Sequence, residues 1–384
     1  MPNTTLNYSP LLSHESNYKA GEKKQWGHLI GDSFALAIHD QAIKHDSLSL
    51  VITPDTQTAR QTEAALRFFS CADENIQTLH LPDWETLPYD QFSPHEDIIS
   101  ERLLTLHQLP KLKKGILIVP VNTLMHRLPP TEFLTHNSFV VKPGQTLIIG
   151  ELRRQLESSG YRCVETVFEH GEFAVRGSLI DIFPMGSSVP YRVDLFDDEV
   201  ESLRSFEPES QRTIDKLDSI ELLPAKEFPL DKSGIAKFRN NWHKHFEVDH
   251  RSCPIYQDIS DGISPSGIEY YLPLFFDNSS TLFDYLPKAT TVYTVSSIND
   301  SAEHFWRDAA QRYESLCGDI QRPILKPNEM FVPTAELFQQ LKKHHRIQLE
   351  TSELSEAQGN YNFACLDVPK NISINAKADN PLAG

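Results

Sequence analysis

The chain has 384 residues, 39% of them hydrophobic and 10% aromatic, a composition that suits soluble globular domains and a length that calls for more than one core. Its formal net charge of -17 opposes a polyanionic partner, because nucleic-acid affinity rests on Lys and Arg releasing counterions from phosphates. The longest basic patch is Lys111-Leu112-Lys113-Lys114, so direct DNA binding is not expected. Five cysteines (Cys71, Cys163, Cys253, Cys317, Cys365) are odd in number, widely spaced and never in a C-x-x-C pair, and read as reduced thiols of a cytoplasmic protein. The first residues, MPNTTLNYSP, lack the basic start and apolar run of a signal peptide. No stretch approaches the roughly 20 apolar residues of a membrane span.

The first part alternates in the α/β manner. Leu48 to Thr53 predicts a strand, Thr56 to Phe69 a helix with apolar residues at Ala59, Ala64-Ala65 and Phe68-Phe69, and Ile76 to Leu81 a second strand. After the loop Pro82 to Pro94 a helix runs from about Glu96, with Ile98-Ile99, Leu103 and Leu106 at helical spacing. Gly115 to Pro120 is a continuous apolar run of the kind found in buried parallel strands, so a doubly wound parallel sheet is expected. From about Phe133 the pattern changes to an antiparallel α+β module, with a helix Glu151 to Ser159 stopped at Gly160. From Ser219 it returns to mixed structure: a helix over Asp231 to Phe246 with Ile235, Phe238, Trp242 and Phe246 on one face, a strand Thr291 to Val295, and a helix Ser301 to Leu316. The middle module therefore reads as an insertion. Glu353 to Gly384, rich in Asn, Ala, Lys and Asp with Pro369 and Pro381, reads as a linker, and Asn380-Pro381 as the start of a helix that is then cut off, as in a fragment of a longer protein.

Within the middle module, Tyr191 to Phe196 alternates so that Tyr191, Val193 and Leu195 face a core while Arg192, Asp194 and Phe196 share the other face. The same parity in Phe173 to Leu179 sends Phe173, Val175 and Leu179 inward and Ala174, Arg176 and Ser178 outward, with Gly177 marking a bulge or a close backbone approach. Arg176 and Arg192 would then flank an exposed Phe196, and Arg and aromatic side chains carry much of the energy of protein interfaces. The competing reading is that Phe196 tucks against the next domain while the arginines pair with nearby carboxylates.

Other constellations carry less. Gly27-His28-Leu29-Ile30-Gly31-Asp32-Ser33 stands where a phosphate loop would precede the first helix, but it lacks the Lys that reaches the terminal phosphates, and Asp32 puts a negative charge there. Ser33 in Gly31-Asp32-Ser33-Phe34 matches the nucleophile block of a serine esterase, without the D-x-x-H partners expected near the C-terminus. Val193 to Glu199 superficially matches an acidic metal motif after a strand and reads better as a turn with an acidic patch, able to meet a partner's arginines. His243, His245, His250 and Cys253 straddle a helix end at no standard ligand spacing, so no metal is expected.

Four collinear blocks carry a resemblance: Leu81-Pro82-Asp83-Trp84-Glu85-Thr86-Leu87-Pro88-Tyr89-Asp90-Gln91-Phe92-Ser93-Pro94-His95, Ile118 to Met125, Glu169 to Glu199, and Gly267 to Phe276. Together they resemble the N-terminal part of the Mfd family, the bacterial transcription-repair coupling factors, through about residue 345. The resemblance implies a UvrB-like module: a discontinuous, degenerate helicase-like domain of the P-loop NTPase type, in residues 1–130 and 219–348, carrying an inserted α+β UvrA-binding domain in 131–218, with 349–384 a linker toward absent downstream domains. Unlike UvrB, this chain lacks the phosphate-loop Lys, and Pro94 runs within a few residues into a helix, leaving no room for a DNA-gripping hairpin. It implies no catalysis and no cofactor in this segment; ATP and Mg, RNA polymerase and DNA would be engaged by the absent domains. The family's UvrA-contacting arginines match Arg176 and Arg192 and its contacting phenylalanine matches Phe196, with Asp198 and Glu199 as rim candidates. It further implies that the C-terminal domain of the intact protein masks this surface until the motor engages stalled polymerase. A serine hydrolase using Ser33 and a residual helicase-type nucleic-acid-binding module are the alternatives.

Overall fold

A computed structural model describes residues 8–9, 11, 19–70 and 76–365. Cys71, the stretch from 366 onward and the Asn380-Pro381 helix start lie outside the described residues. In chain order the strands are β1 (Tyr8–Ser9), β2 (Lys23–Gly27), β3 (Leu48–Thr53), β4 (Thr78–His80), β5 (Gly115–Pro120), β6 (Phe139–Val141), β7 (Arg162–Cys163), β8 (Glu172–Arg176), β9 (Leu179–Phe183), β10 (Tyr191–Phe196), β11 (Glu199–Phe206), β12 (Thr213–Leu217), β13 (Ile220–Leu222), β14 (Thr291–Val295), β15 (His345–Leu349) and β16 (Asn360–Phe363).

An eight-stranded parallel sheet has the order β1-β16-β2-β15-β14-β3-β5-β4. Strands from beyond residue 290 slot between β2 and β3, so this sheet is built by two separate parts of the chain. β3 and β5 are buried at every position, which explains why they read as unbroken apolar runs: helices cover both faces. The helix Thr56–Ser70 lies where expected, but its inward residues are Ala59, Thr62, Ala65 and Leu66, and Phe68 points to solvent. The helix Lys232–His245 is capped by the Asp231 carboxylate, which accepts from Gly234 N at 2.7 Å, and buries Phe238 and Trp242. One expectation fails. Asn360–Phe363, in the stretch read as a linker, forms β16 alongside β2, where Phe363 is fully buried against Trp26 with ring centroids 5.2 Å apart.

Between these halves, β7 to β12 form a six-stranded sheet, antiparallel throughout β8 to β12, in the order β12-β11-β10-β9-β8-β7. Its inner face (Phe173, Ile180, Ile182, Val193, Leu195, Leu203) joins the same buried cluster as Leu50, Leu103 and Leu117 of the parallel-sheet region. Charged pairs fasten the helix Glu96–Gln108 to the segment that follows β13. Arg102 donates from Nε to Glu227 Oε1 at 2.6 Å, both side chains fully buried, and Lys226 reaches Glu96 at 2.8 Å. The loop 82–95 contains no strand and is held down by burial of Trp84 and Tyr89 and by the Tyr270 hydroxyl, which donates to Leu87 O at 2.7 Å.

Candidate partner-binding site

Two tight hairpins build the exposed edge of the antiparallel sheet. β8 turns into β9 through Gly177-Ser178, and Gly177 has φ of 64° with open space where a Cβ would lie. The glycine is therefore there for its backbone conformation in a two-residue turn, not for a bulge or a close approach. The bulge lies instead between β10 and β11, where Asp194 faces Ser202 and Leu195 faces Val200, leaving Glu201 as the extra residue. β10 turns into β11 through Asp197-Asp198, and Asp197 adopts φ of 54°, a left-handed conformation that Asp tolerates.

The alternation read in β10 is present. Val193 and Leu195 are buried and Tyr191 half-buried, while Phe196 is 71% exposed. The parity read over Phe173 to Leu179 fails at two positions: Leu179, expected inward, lies opposite Arg176 and Asp194 on the outer face, because the two-residue turn shifts the alternation between β8 and β9. Ala174 has the outward parity but is buried, because Val167, Phe183 and Phe206 form a small second core that covers this end of the outer face. Alternation within β8 does not reveal that cover, since Val167 and Phe206 come from outside β8 to β10.

Asp181 organises the face. On β9 it lies opposite both Ala174 of β8 and Arg192 of β10, and its side chain is 1% exposed. Arg192 embraces it with a fork, Nε to Oδ1 at 2.7 Å and Nη2 to Oδ2 at 2.9 Å, and Arg176 donates from Nη2 to the same Oδ2. This bonding raises the Arg192 pKa further above its ordinary value. The Arg192 guanidinium also lies 4.7 Å over the Phe206 ring, and its Nη1 makes one long bond, 3.4 Å, to Gln211 O. Exposure separates the two cations: 16% for the Arg192 side chain, 44% for Arg176. Both arginines do pair with a nearby carboxylate, but Phe196 does not tuck under a neighbour. Nor do the arginines flank it symmetrically, for Arg192 lies four residues back along β10, about 13 Å at strand rise.

Asp198 and Glu199 sit at the tip beyond Phe196, exposed and without an ion pair among the described residues. The Asp198 carbonyl accepts from Leu147 N at 2.6 Å, which ties the tip to the loop before the helix Ile149–Ser158. Asp194 points away from any acidic cluster and bonds Ser202 Oγ at 3.0 Å. Asp181 was missed at the sequence level, although a lone carboxylate between Ile180 and Ile182 is the available signal: a buried charge needs a cation.

The remaining constellations resolve as follows. The Gly27 to Ser33 segment does connect a parallel strand to the helix Ser33–Lys44, the place of a phosphate loop. Its amides are engaged by the chain itself: His28 N donates to Ser352 O at 2.9 Å and Leu29 N to Glu350 O at 3.1 Å. A Cβ on Gly27 would meet Leu354, Asn362 and Ser352 within 3 Å, so that last segment packs into the loop's mouth. The buried Ser33 Oγ has no hydrogen-bond partner among the described residues. The histidine and cysteine set does not converge: His245 pairs with Glu329, Cys253 Sγ donates to Ile320 O, and His243 and His250 pack on Tyr256. A different trio does come together. Glu63, His80 and Glu101 have potential ligand atoms within 4.8 Å of one another. Burial opposes charge on His80, yet its bonds to Glu101 and Glu63 push its pKa up to about 9, which favours a protonated imidazole between the two carboxylates near neutral pH.

Residues 139–228, which contain this face, match the family model described as the UvrB interaction domain. Over 365 residues the chain is 45% identical to the transcription-repair-coupling factor of Escherichia coli strain K12, covering 95% of this chain and 31% of that protein. This chain is a homologue of the transcription-repair-coupling factors. The Haemophilus influenzae protein of the same name is 43% identical over 94% of this chain and 31% of its own length, and that of Bacillus subtilis strain 168 is 30% identical over 57% and 20%. The chain thus spans about a third of the length of the Escherichia coli and Haemophilus influenzae coupling factors. Among the described residues no helix is long and apolar enough to cross a membrane.

Proposed function

We propose that this chain is the UvrB-like adaptor module of a transcription-repair-coupling factor, recruiting UvrA to stalled RNA polymerase in nucleotide excision repair in the cytoplasm. The observation that carries the reading is Phe196, a large aromatic 71% exposed at a hairpin tip within the UvrB-interaction match, beside a face whose two arginines are oriented by one buried carboxylate. Arg176 offers its open edge and Arg192 its weakly used Nη1 to carboxylates of UvrA, Phe196 fills an apolar pocket of UvrA nearer the hairpin tip, and Asp198 and Glu199 meet cations at the rim. In this reading residues 131–218 are the docking insertion, and 1–130 with 219–348 a helicase-like frame that neither hydrolyses ATP nor grips DNA. ATP, Mg, RNA polymerase and DNA are engaged by parts of such proteins outside this chain.

Calorimetric titration of the chain with purified UvrA tests it. Folded Arg176→Ala, Arg192→Ala and Phe196→Ala variants are each expected to weaken binding by about 2 kcal/mol or more. Binding that survives all three substitutions removes the face from consideration.

A further inference from the structure

Arg192 and Arg204 stand directly opposite each other on β10 and β11, on the outer face. Like charges so placed repel unless each has a counter-charge, and the two are served very unequally. Arg192 makes a two-point fork on Asp181 that leaves only its Nη1 weakly used. Arg204 is 45% exposed and, among the described residues, makes a single contact with a carboxylate, Nη2 to Asp194 Oδ2 at 3.4 Å, where the same oxygen already accepts from Ser202. Its guanidinium reaches Asp194, the residue between Arg192 and Phe196 on this face, so it lies nearer to the exposed ring along β10 than Arg192 does. A half-exposed arginine fork on the same face as a solvent-exposed aromatic, held by a carboxylate two residues from it along the strand, combines the residue types that recur at the energetic centres of interfaces.

We infer that Arg204 is a further partner-contacting residue: it receives a carboxylate of the docked protein next to the Phe196 ring, with Asp194 as the residue that aims it. This rests on the UvrA reading above and deepens it, extending the surface from β8 and β10 onto β11. Arg204 lies outside the segment whose alternation marked the other site residues, and only strand register brings it to the face.

The test is titration of the 384-residue chain with purified UvrA, comparing Arg204→Ala, Arg204→Gln, Phe196→Ala and Lys216→Ala, each checked for an unchanged unfolding transition. Lys216 is the control, because it is the exposed cation paired with Arg204 in the same row, on the edge strand β12. Both Arg204 variants are expected to bind about tenfold more weakly, with Lys216→Ala within about twofold of wild type. If Phe196→Ala loses binding while both Arg204 variants keep it, the Arg204 contact is overturned and the UvrA reading stands. Equal losses for Lys216→Ala and the Arg204 variants overturn it as well, by reducing the effect to general charge. If Phe196→Ala binds like wild type, the UvrA reading falls and this inference with it.

Discussion

Two regions of this molecule are built from the same chemical unit, an arginine fork on a carboxylate, and put it to opposite uses. At the junction between the helix Glu96–Gln108 and the segment that follows β13, Arg102 and Glu227 are both buried, and Arg102 spends a further donor on Pro82 O at 2.7 Å. On the outer face of β8 to β11 the carboxylate of Asp181 is equally buried, but its arginines reach solvent. A pair buried on both sides holds two parts of a protein together; a pair buried only on its acidic side holds a cation out in a fixed pose. Burial of each partner, not the presence of the pair, separates structural adhesion from recognition.

The largest effect that sharpens this contrast is expected from Arg102→Ala, which strands the Glu227 carboxylate in the core and should destabilise the chain by about 3–5 kcal/mol in denaturant unfolding. A loss below about 1 kcal/mol would mean water reaches Glu227 and the junction is no tighter than the face. Asp181→Asn is expected to cost less, on the order of 2 kcal/mol, because Arg176 can turn to water while Arg192 retains one amide acceptor and the Phe206 ring. It should weaken UvrA binding as well, since the arginines lose their orientation. Stability lost without any loss of binding would show that the partner orients them itself.

A smaller, pH-dependent effect belongs to the junction. Burial pushes the Glu269 carboxyl up to about 7, against the opposing pull of Lys226 and the hydrogen bond from Ser93 Oγ at 2.7 Å. A carboxyl whose folded pKa exceeds its unfolded value near 4.5 favours folding in its protonated form, so its contribution is complete below about pH 4.5 and is lost as pH rises through 7. Glu269→Gln, compared with wild type by thermal unfolding, should therefore gain relative stability between pH 5 and 8, by on the order of 2 kcal/mol at the upper end. A flat difference for Glu269→Gln would place that carboxyl in contact with water.

Much of this was legible from local pattern. β3, β5, β14 and the helices starting near Thr56, Glu96 and Lys232 follow from apolar runs, helical spacing and an Asp cap, which are properties of neighbouring residues. Linker composition misled at β16, because a four-residue strand between β1 and β2 carries no long apolar run of its own. The outward parity of Phe196 was readable because side chains on a strand alternate whatever they pack against.

What the sequence determined by itself is therefore the set of elements, the alternation that exposes Phe196 and Arg176, and the absence of a lysine in the loop after β2. Only the tertiary structure decided that Asp181 serves two arginines, that Ala174 is roofed by Phe206, that Arg204 joins the face, and that Glu350 and Ser352 occupy the amides of that loop. The division has one physical cause. Backbone geometry sets the direction of each side chain from its immediate neighbours, whereas the partner it meets depends on the register between strands and on segments distant in the chain.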